Sequence, residues 1–378
     1  MNYEDILAKL VSFPTISETS NKDMTDFIKS YLLKYGHLSE TFEGNNGQFN
    51  LHCRIGPRND GGIILSGHTD VVPTTGQKWI TNPFKLTKKN NRLYGRGSCD
   101  MKGFIATILS IIPDIKIKDL KKPLHLIFSY DEEIGCVGIQ KLIPFLQRIK
   151  PKPKFCIVGE PTEMKLINEH KGKKNFTVSF NGIESHSSLT YNGVNAINYC
   201  AQFIIFLENL QKDLIKDNNN KRFDPPFPTL NIGKISGGIA VNIVPKSCMI
   251  EFEIRDTPEL DIDKLLKKIN NFLKNVEKKM KKLNKSCSVK LKKNNDFPPL
   301  RTEENKEIIK LVLGNLKTNY LGTVSFGTEA GVFDKVSFQT VVCGPGSIKQ
   351  AHKPNEFITI EQIHKCKKFL TKIINSLY

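Results

Sequence analysis

Apolar residues recur at helical spacing near the start of the chain and predict two helices between Tyr3 and Tyr35. Pro14 lies between the two periodic stretches. A proline has no backbone N–H and disfavours a helical residue before it, so we expect the first helix to end there. The apolar positions that define the two helical faces are Ile6, Leu7, Leu10 and Val11, then Met24, Phe27, Ile28, Tyr31 and Leu32.

Short, largely apolar runs follow at 62–66, 123–129 and 155–158, and they predict strands covered on both faces. A helical stretch at 103–112 lies between them, as expected for an α/β fold. Each run leads directly into a residue type that binds metal ions: His68, then Glu132 and Glu133, then Glu160. Because ligand sites gather at the carboxyl ends of strands in open α/β sheets, we expect these side chains to meet.

A second module is predicted between residues 173 and 292. Its elements alternate in the order β-α-β-β-α-β, which is typical of a ferredoxin-like α+β module. The module interrupts the first domain, since α/β-type segments resume near 298. The predicted elements are strand 176–182, helix 194–214, strand 229–235, strand 248–255, helix 261–283, strand 286–292, helix 304–313, strand 339–342 and helix 360–377.

Composition favours a globular chain of two domains. The sequence has 378 residues, of which 39% are hydrophobic and 25% are charged. No apolar run reaches the roughly 20 residues of a membrane span, and the first residues lack the pattern of a secretory signal. Nine scattered cysteines without a C-x-x-C pair indicate reduced thiols and a cytoplasmic protein.

The formal net charge of +18 raises the alternative of a nucleic-acid-binding protein. Lysines are dispersed along the chain, whereas a nucleic-acid surface concentrates basic residues with interleaved aromatic ones. The densest lysine run, at 267–282, has apolar residues at helical spacing on its other face. We therefore expect this run to be a solvated helix face, and we expect no nucleic-acid partner.

Six residues form a candidate site for two divalent metal ions: His68, Asp100, Glu132, Glu133, Glu160 and His352. A paired-metal site needs imidazoles and carboxylates, one of which bridges ions about 3.5–4 Å apart. We assign His68 and Glu160 to one ion, Glu133 and His352 to the other, and Asp100 to the bridge. Asp70 would orient the ring of His68, and Glu132 would act as the general base. Taken singly, each is more often an ordinary surface, turn or core residue.

The motifs together resemble peptidase family M20, a family of metallopeptidases and deacylases. They cover nearly the whole chain and comprise SGHTDVVP at 66–73, GRG at 95–97, DMKG at 100–103, DEEIGC at 131–136 and GEPT at 159–162. HKG at 170–172 and FGTEAG at 326–331 are most similar to the branch that deacetylates N-acetyl-L-ornithine. One departure is Gly327, where that branch often has cysteine.

The resemblance implies a zinc-peptidase-like catalytic domain, with a mixed sheet flanked by helices, formed by residues 1–172 and 293–378. It also implies that 173–292 is a lid and dimerisation domain, that the chain is a homodimer, that the two ions are zinc or cobalt, and that a cis peptide follows Asp100. His186, in GIESHSS at 182–188, would stabilise the oxyanion in the partner subunit's site. The implied substrate-binding residues are Asn242, Arg255, Gly327, Thr328 and Glu329.

The reaction implied is hydrolysis of the amide bond of a small N-acyl amino acid, with N-acetyl-L-ornithine, in arginine biosynthesis, as the first choice. We expect Glu329 to recognise the distal ammonium group of that substrate. Succinyl-diaminopimelate, acetylcitrulline, other acyl-amino acids and dipeptides are alternative substrates. A ligand-binding relative without activity is a further alternative, which the complete set of six site residues disfavours.

Overall fold

The computed structural model describes residues 1–378 and divides into two compact units. The larger unit comprises residues 1–170, 300–323 and 328–378, and the inserted unit comprises 171–299 and 324–327. The strands are β1 Ser39–Glu43, β2 Phe49–Ile55, β3 Ile63–His68, β4 Thr87–Lys89, β5 Arg92–Tyr94, β6 Leu124–Ser129, β7 Phe155–Pro161, β8 Leu166–His170, β9 Lys173–Asn181, β10 Thr229–Gly237, β11 Ser247–Arg255, β12 Ser288–Phe297, β13 Leu300–Arg301, β14 Leu321–Val324, β15 Gln339–Gly344 and β16 Phe357–Thr359.

Four of the ten helices begin with a side-chain N-cap, supplied by Asn2, Asn195, Asp261 and Thr359. At the first helix, Asn2 accepts a hydrogen bond from the backbone N–H of Asp5, and the Asp5 carboxylate accepts one from Asn2 in return. The helices are α1 Tyr3–Val11, α2 Lys22–Lys34, α3 Lys102–Ile111, α4 Val137–Lys141, α5 Ile143–Leu146, α6 Ala196–Asp217, α7 Ile262–Leu283, α8 Glu307–Leu316, α9 Ala330–Lys335 and α10 Ile360–Asn375.

The larger unit contains a nine-stranded mixed sheet with a parallel centre. The main strand order is β1-β2-β6-β3-β7-β15-β8-β13, and β14 pairs with β8. Strands β6, β3, β7 and β15 are parallel neighbours, so their carboxyl ends lie at one edge of the sheet. The register pairs His68 with Ser129 and places the last residue of β3 beside the last residue of β6.

Helices cover the central strands and explain their apolar sequences. Every residue of β3 and β6 is buried. Helix α3 packs against β3, α1 and α10, while α9 packs against β7 and β15. Because neither face of these strands contacts water, they lack the alternation of polar and apolar residues that a half-exposed strand shows. This confirms the sequence-based prediction of strands covered on both faces.

The inserted unit is a four-stranded antiparallel sheet, β10-β11-β9-β12, packed against α6 and α7. Alternate residues of β9 and β11 are buried, so one face of the sheet forms the core with the helices. Helix α7 buries its apolar stripe and exposes its lysines, as predicted from the spacing. The inserted unit extends beyond the expected end at 292, because β12 continues to pair with β9 through Phe297.

All nine cysteines are buried free thiols, as the sequence pattern indicated. None of the helices is long and apolar enough to cross a membrane.

Candidate active site

The metal-type residues of the larger unit converge at the carboxyl edge of the parallel strands. His68 ends β3, Glu160 lies near the end of β7, and the acid pair follows β6. Asp100 lies in the loop between β5 and α3, and the peptide bond after it is cis. His352 follows a short 3₁₀ helix at Ile348–Gln350 and comes from a distant part of the chain.

Asp100 lies between the two imidazoles. Its Oδ1 is 3.0 Å from Nε2 of His68, and its Oδ2 is 3.6 Å from Nε2 of His352. His352 Nε2 is also 2.8 Å from Glu133 Oε2, while His68 Nε2 is 3.8 Å from Glu160 Oε1. The two oxygens of one carboxylate thus face two different pairs of candidate ligands, which is the arrangement a bridging ligand needs.

The side chains of the adjacent acids point to different neighbours. Glu133 groups with His68 and Asp100, whereas Glu132 groups with His68 and Glu160; within each group the potential ligand atoms all lie within 4.8 Å of one another. Glu132 therefore lies as close to the metal-type cluster as the assigned ligands do. The carboxylate of Glu132 also accepts a hydrogen bond at Oε1 from the thiol of Cys136, over 3.4 Å.

Asp70 organises the acid pair as well as the ring of His68. The nearer acceptor for His68 Nδ1 is the carbonyl oxygen of Asp70, at 3.0 Å, while its carboxylate is 3.5 Å away. That carboxylate accepts hydrogen bonds from the backbone N–H groups of Glu132 (3.0 Å) and Glu133 (3.3 Å), and from the hydroxyl of Ser17 (2.7 Å). Asp70 thus fixes the backbone from which both acids project.

Asp131 also holds the loop that carries Glu132 and Glu133. Its carboxylate accepts from the backbone N–H of Glu18 at 2.8 Å and from Nε2 of Gln48 at 2.6 Å. Asp131 itself has a φ of +51°, which non-glycine residues rarely adopt. Sequence reasoning missed the roles of Ser17, Gln48 and Asp131. Ser17 and Gln48 follow none of the predicted strands, and Asp131, although it precedes the acid pair after β6, is not in the metal-ligand pattern.

The cluster carries more acidic groups than its two imidazoles can balance. The neighbouring carboxylates of Asp100 and Glu133 raise the pKa of His352 to about 10. Burial raises the pKa of Glu132 and of Glu160 well above the usual range. Oε1 of Glu160 is buried and has no hydrogen-bond partner. A buried carboxylate oxygen without a donor is suited to a cation, so the residues present fit divalent metal ions.

The GTEA segment contributes one deeply buried carboxylate. Glu329 is 1% exposed and accepts hydrogen bonds from the hydroxyls of Ser129 and, at 3.3 Å, Ser66. Burial raises its pKa to about 7. The hydroxyl of Thr328, also fully buried, accepts from the backbone N–H of Ala330 at the start of α9.

Gly327 belongs to the inserted unit and has no room for a side chain. A Cβ built there would lie 1.8 Å from the ring of Phe297 and 2.9 Å from the carbonyl oxygen of Lys171. With Phe297 in this position, a cysteine at 327 would clash.

The inserted unit carries the remaining predicted residues. The backbone N–H of Ser188 donates to Nδ1 of His186, so a neutral His186 has its proton on Nε2. Asn242 lies beside it, since its carbonyl oxygen accepts from the backbone N–H of Ser187. Arg255 ends β11 and donates from Nε to Glu253 over 3.0 Å.

Comparison with known proteins assigns the chain to a family. The family model described as Peptidase family M20/M25/M40 matches residues 64–376. The chain belongs to this family. A curated relative, acetylornithine deacetylase of Buchnera aphidicola subsp. Acyrthosiphon pisum (strain Tuc7), is 34% identical over 99% of this chain and 97% of that protein. The chain is thus a metal-dependent hydrolase of family M20.

Solved structures of family M20 have the same fold. The metallo-carboxypeptidase Sso-CP2 of Sulfolobus solfataricus aligns with a TM-score of 0.79 and 19% identity, covering 99% of this chain and 98% of that one. YXEP of Bacillus subtilis, described as a dinuclear metal binding peptidase, aligns with a TM-score of 0.69 and 14% identity, covering 99% and 97%. These likenesses establish the fold of the chain.

Proposed function

We propose that the protein hydrolyses the amide bond of an N-acyl amino acid, with N-acetyl-L-ornithine as substrate and L-ornithine and acetate as products. The observation that carries this proposal is the nearly full-length similarity to acetylornithine deacetylases, at 34% identity. The reaction would be a step of arginine biosynthesis in the cytoplasm. Family membership fixes the class of chemistry, and the identity of the acyl amino acid is the part that experiment has to establish.

The proposed cofactor is a pair of divalent ions, zinc or cobalt. His68 and Glu160 would hold one ion, Glu133 and His352 the other, and Asp100 would contact both. The unpartnered Oε1 of Glu160 supports this set. Divalent ions in such a site polarise a carbonyl oxygen and lower the pKa of water.

Glu132 is the proposed general base. Its carboxylate lies at the cluster, and Asp70 holds its backbone. It would take a proton from the attacking water and pass it to the leaving nitrogen, so that the amide and water yield a carboxylic acid and an amine. The role fits a carboxylate that adjoins the cluster without being needed as a ligand.

His186 is the proposed oxyanion donor. Because its Nδ1 accepts from Ser188, its Nε2–H is the group that can donate to an oxygen that gains negative charge. We further propose that the inserted unit is a ferredoxin-like lid and dimerisation domain, and that His186 serves the site of a partner subunit in a homodimer. The β-α-β-β-α-β order and the four-stranded antiparallel sheet support the first part.

The proposed substrate-binding residues are Asn242, Arg255, Gly327, Thr328 and Glu329. Arg255 is suited to bind the α-carboxylate, since a guanidinium can donate two parallel hydrogen bonds to it; Asn242 would assist. Glu329 remains the proposed partner of the distal ammonium group, while Gly327 and Thr328 would shape its surroundings. Because Glu329 is 1% exposed, the ammonium group would have to reach a buried carboxylate.

A substrate panel tests the proposal. Acetate, succinate or amino-acid release is measured from N-acetyl-L-ornithine, N-acetyl-L-citrulline, N-succinyl-diaminopimelate and a dipeptide, each with added Zn²⁺ or Co²⁺. We expect the highest kcat/KM for N-acetyl-L-ornithine. A higher value for the succinylated substrate or for the dipeptide would overturn the substrate assignment and favour another activity of the family, such as that of the peptidases with the same fold.

A further inference from the structure

His352 differs from the other proposed ligands in how the fold holds it. His68 and Glu160 belong to central strands of the large sheet, whereas His352 lies on a loop, has a φ of +62° and has a side chain that is 55% exposed. Outside the cluster itself, no hydrogen bond to its imidazole holds the ring in place. The position of this ligand therefore depends on what holds its backbone.

Gln77 bonds to that backbone directly, and Arg96 and Glu356 extend the network from it; we call Gln77, Arg96 and Glu356 the clasp. Gln77 donates from Nε2 to the carbonyl oxygen of His352 over 2.9 Å, and its Oε1 accepts from Nη2 of Arg96 at 2.6 Å. Arg96 donates from Nη1 to Glu356 over 2.8 Å, and a longer contact of 3.4 Å reaches the carbonyl oxygen of Lys353. Arg96 thus contacts both Lys353 and Glu356, which follow His352 in the same loop.

The same clasp holds the loop of the bridging carboxylate. Glu356 accepts from the backbone N–H groups of Gly97 at 3.0 Å, Cys99 at 2.9 Å and Asp100 at 3.1 Å. Glu356 and Arg96 are each only 1% exposed, so water does not compete for these bonds. Gly97 has a φ of +79°, and a Cβ there would lie 2.7 Å from Val71, so the loop has little freedom to adopt another path.

We propose that the clasp positions His352 relative to Asp100 and Glu133, and thereby sets the affinity of the metal position that Glu133 and His352 would form. This inference rests on the proposed paired-metal site. Gln77, Arg96 and Glu356 are positioning residues. Their side chains bond to backbone groups of the loops that carry His352 and Asp100, and not to the side chains of the proposed ligands. Residues that orient metal ligands typically change metal affinity 10- to 100-fold when they are substituted.

The metal position that His68 and Glu160 would form provides an internal comparison. These two ligands are held by the paired strands β3 and β7, which the clasp does not contact. Loss of the Gln77 hydrogen bond to His352 should therefore weaken one of two binding steps much more than the other, whereas loss of Glu356, which also holds the bridging Asp100, should weaken both. A merely structural role would lower the stability of the protein without singling out one step.

Stepwise binding of Co²⁺ to the chelator-treated full chain tests the proposal, followed by the visible absorption of bound cobalt and by calorimetry. His352→Ala identifies the step that belongs to the Glu133 and His352 position. Gln77→Ala should weaken that same step about 10-fold and the other step less than threefold. Glu356→Gln should weaken that step 10- to 100-fold and the other step as well, because Glu356 also holds the bridging Asp100. Gln77→Ala leaves the buried ion pair intact and so guards against a failure of Glu356→Gln to fold.

Asp256→Asn is the matched control, because it breaks the buried ion pair with Lys174 in the inserted unit. Both binding steps should stay at the wild-type affinity in this variant. Unchanged steps in both variants, or an equal loss in both steps of Gln77→Ala, would overturn the positioning role while leaving the proposed function intact. A wild-type protein that binds fewer than two ions would instead overturn the paired-metal site, and the clasp inference with it.

Discussion

Glu132 is the residue on which the proposed proton transfers depend. Replacing it by glutamine preserves its size but removes the proton acceptor, so we expect kcat for N-acetyl-L-ornithine to fall about 10²- to 10⁴-fold. Because Glu132 is not one of the five assigned ligands, the variant should still bind two ions. Glu163→Gln, on an exposed glutamate of the same unit, is the control and should retain wild-type kcat. A Glu132→Gln protein with undiminished kcat would contradict the assignment.

Glu329 tests the proposed recognition of the distal ammonium group. Glu329→Gln removes the negative charge but can retain the hydrogen bonds from Ser66 and Ser129. We expect the ratio of kcat/KM for N-acetyl-L-ornithine to that for N-acetyl-L-norvaline, which lacks the ammonium group, to fall at least tenfold. An unchanged ratio with reduced kcat for both substrates would show that the buried carboxylate supports the site without contacting the substrate.

Strands β2 and β6 carry a buried histidine pair that predicts how stability depends on pH. Nε2 of His52 lies 3.0 Å from Nδ1 of His125, and burial, with additional effects of His52 and Arg54, lowers the pKa of His125 to about 3. The pKa of His52 is also lowered, first by burial, while Glu40 opposes the shift. The unfolded chain therefore binds protons below about pH 6.5 that the native protein does not bind.

The stability contributed by these neutral imidazoles is fully present above pH 6.5 and is lost as the pH falls toward 3. For His125 alone, the free energy of unfolding should fall by up to about 1.4 kcal/mol per pH unit. Urea unfolding between pH 7 and 4.5 measures this slope. His125→Gln should make it shallower, while His364→Gln, on the exposed face of α10, should leave it unchanged. Equal slopes in the wild type and His125→Gln would exclude this explanation.

The elements that carry the site were largely predictable, and the contacts that fix it were not. Strands β3, β6 and β7 follow from apolar runs, and their carboxyl ends lead to His68, the acid pair and Glu160 because parallel strands share one edge. Ser17, Gln48 and Glu356 escaped prediction. Each acts through hydrogen bonds to groups far away in sequence, and such pairings leave no periodic pattern in the chain.

At the scale of the whole molecule, metal binding and folding should be coupled. The proposed ligands come from residues 68 to 352, so bound ions would join distant segments of the larger unit. A ligand that binds only the native state stabilises it by about 2.7 kcal/mol when its free concentration is 100-fold above Kd. We therefore expect chelation to lower Tm and added Zn²⁺ or Co²⁺ to restore it. The variant lacking both His68 and His352 imidazoles should show no such shift on chelation.

The most direct test of the central claim is acetate release from N-acetyl-L-ornithine by the chelator-treated protein as metal is added back. The account predicts no measurable turnover without metal and a rate that rises to a plateau at two ions per chain. Full turnover by the metal-free protein would contradict it, as would metal-loaded protein that releases no acetate from this substrate.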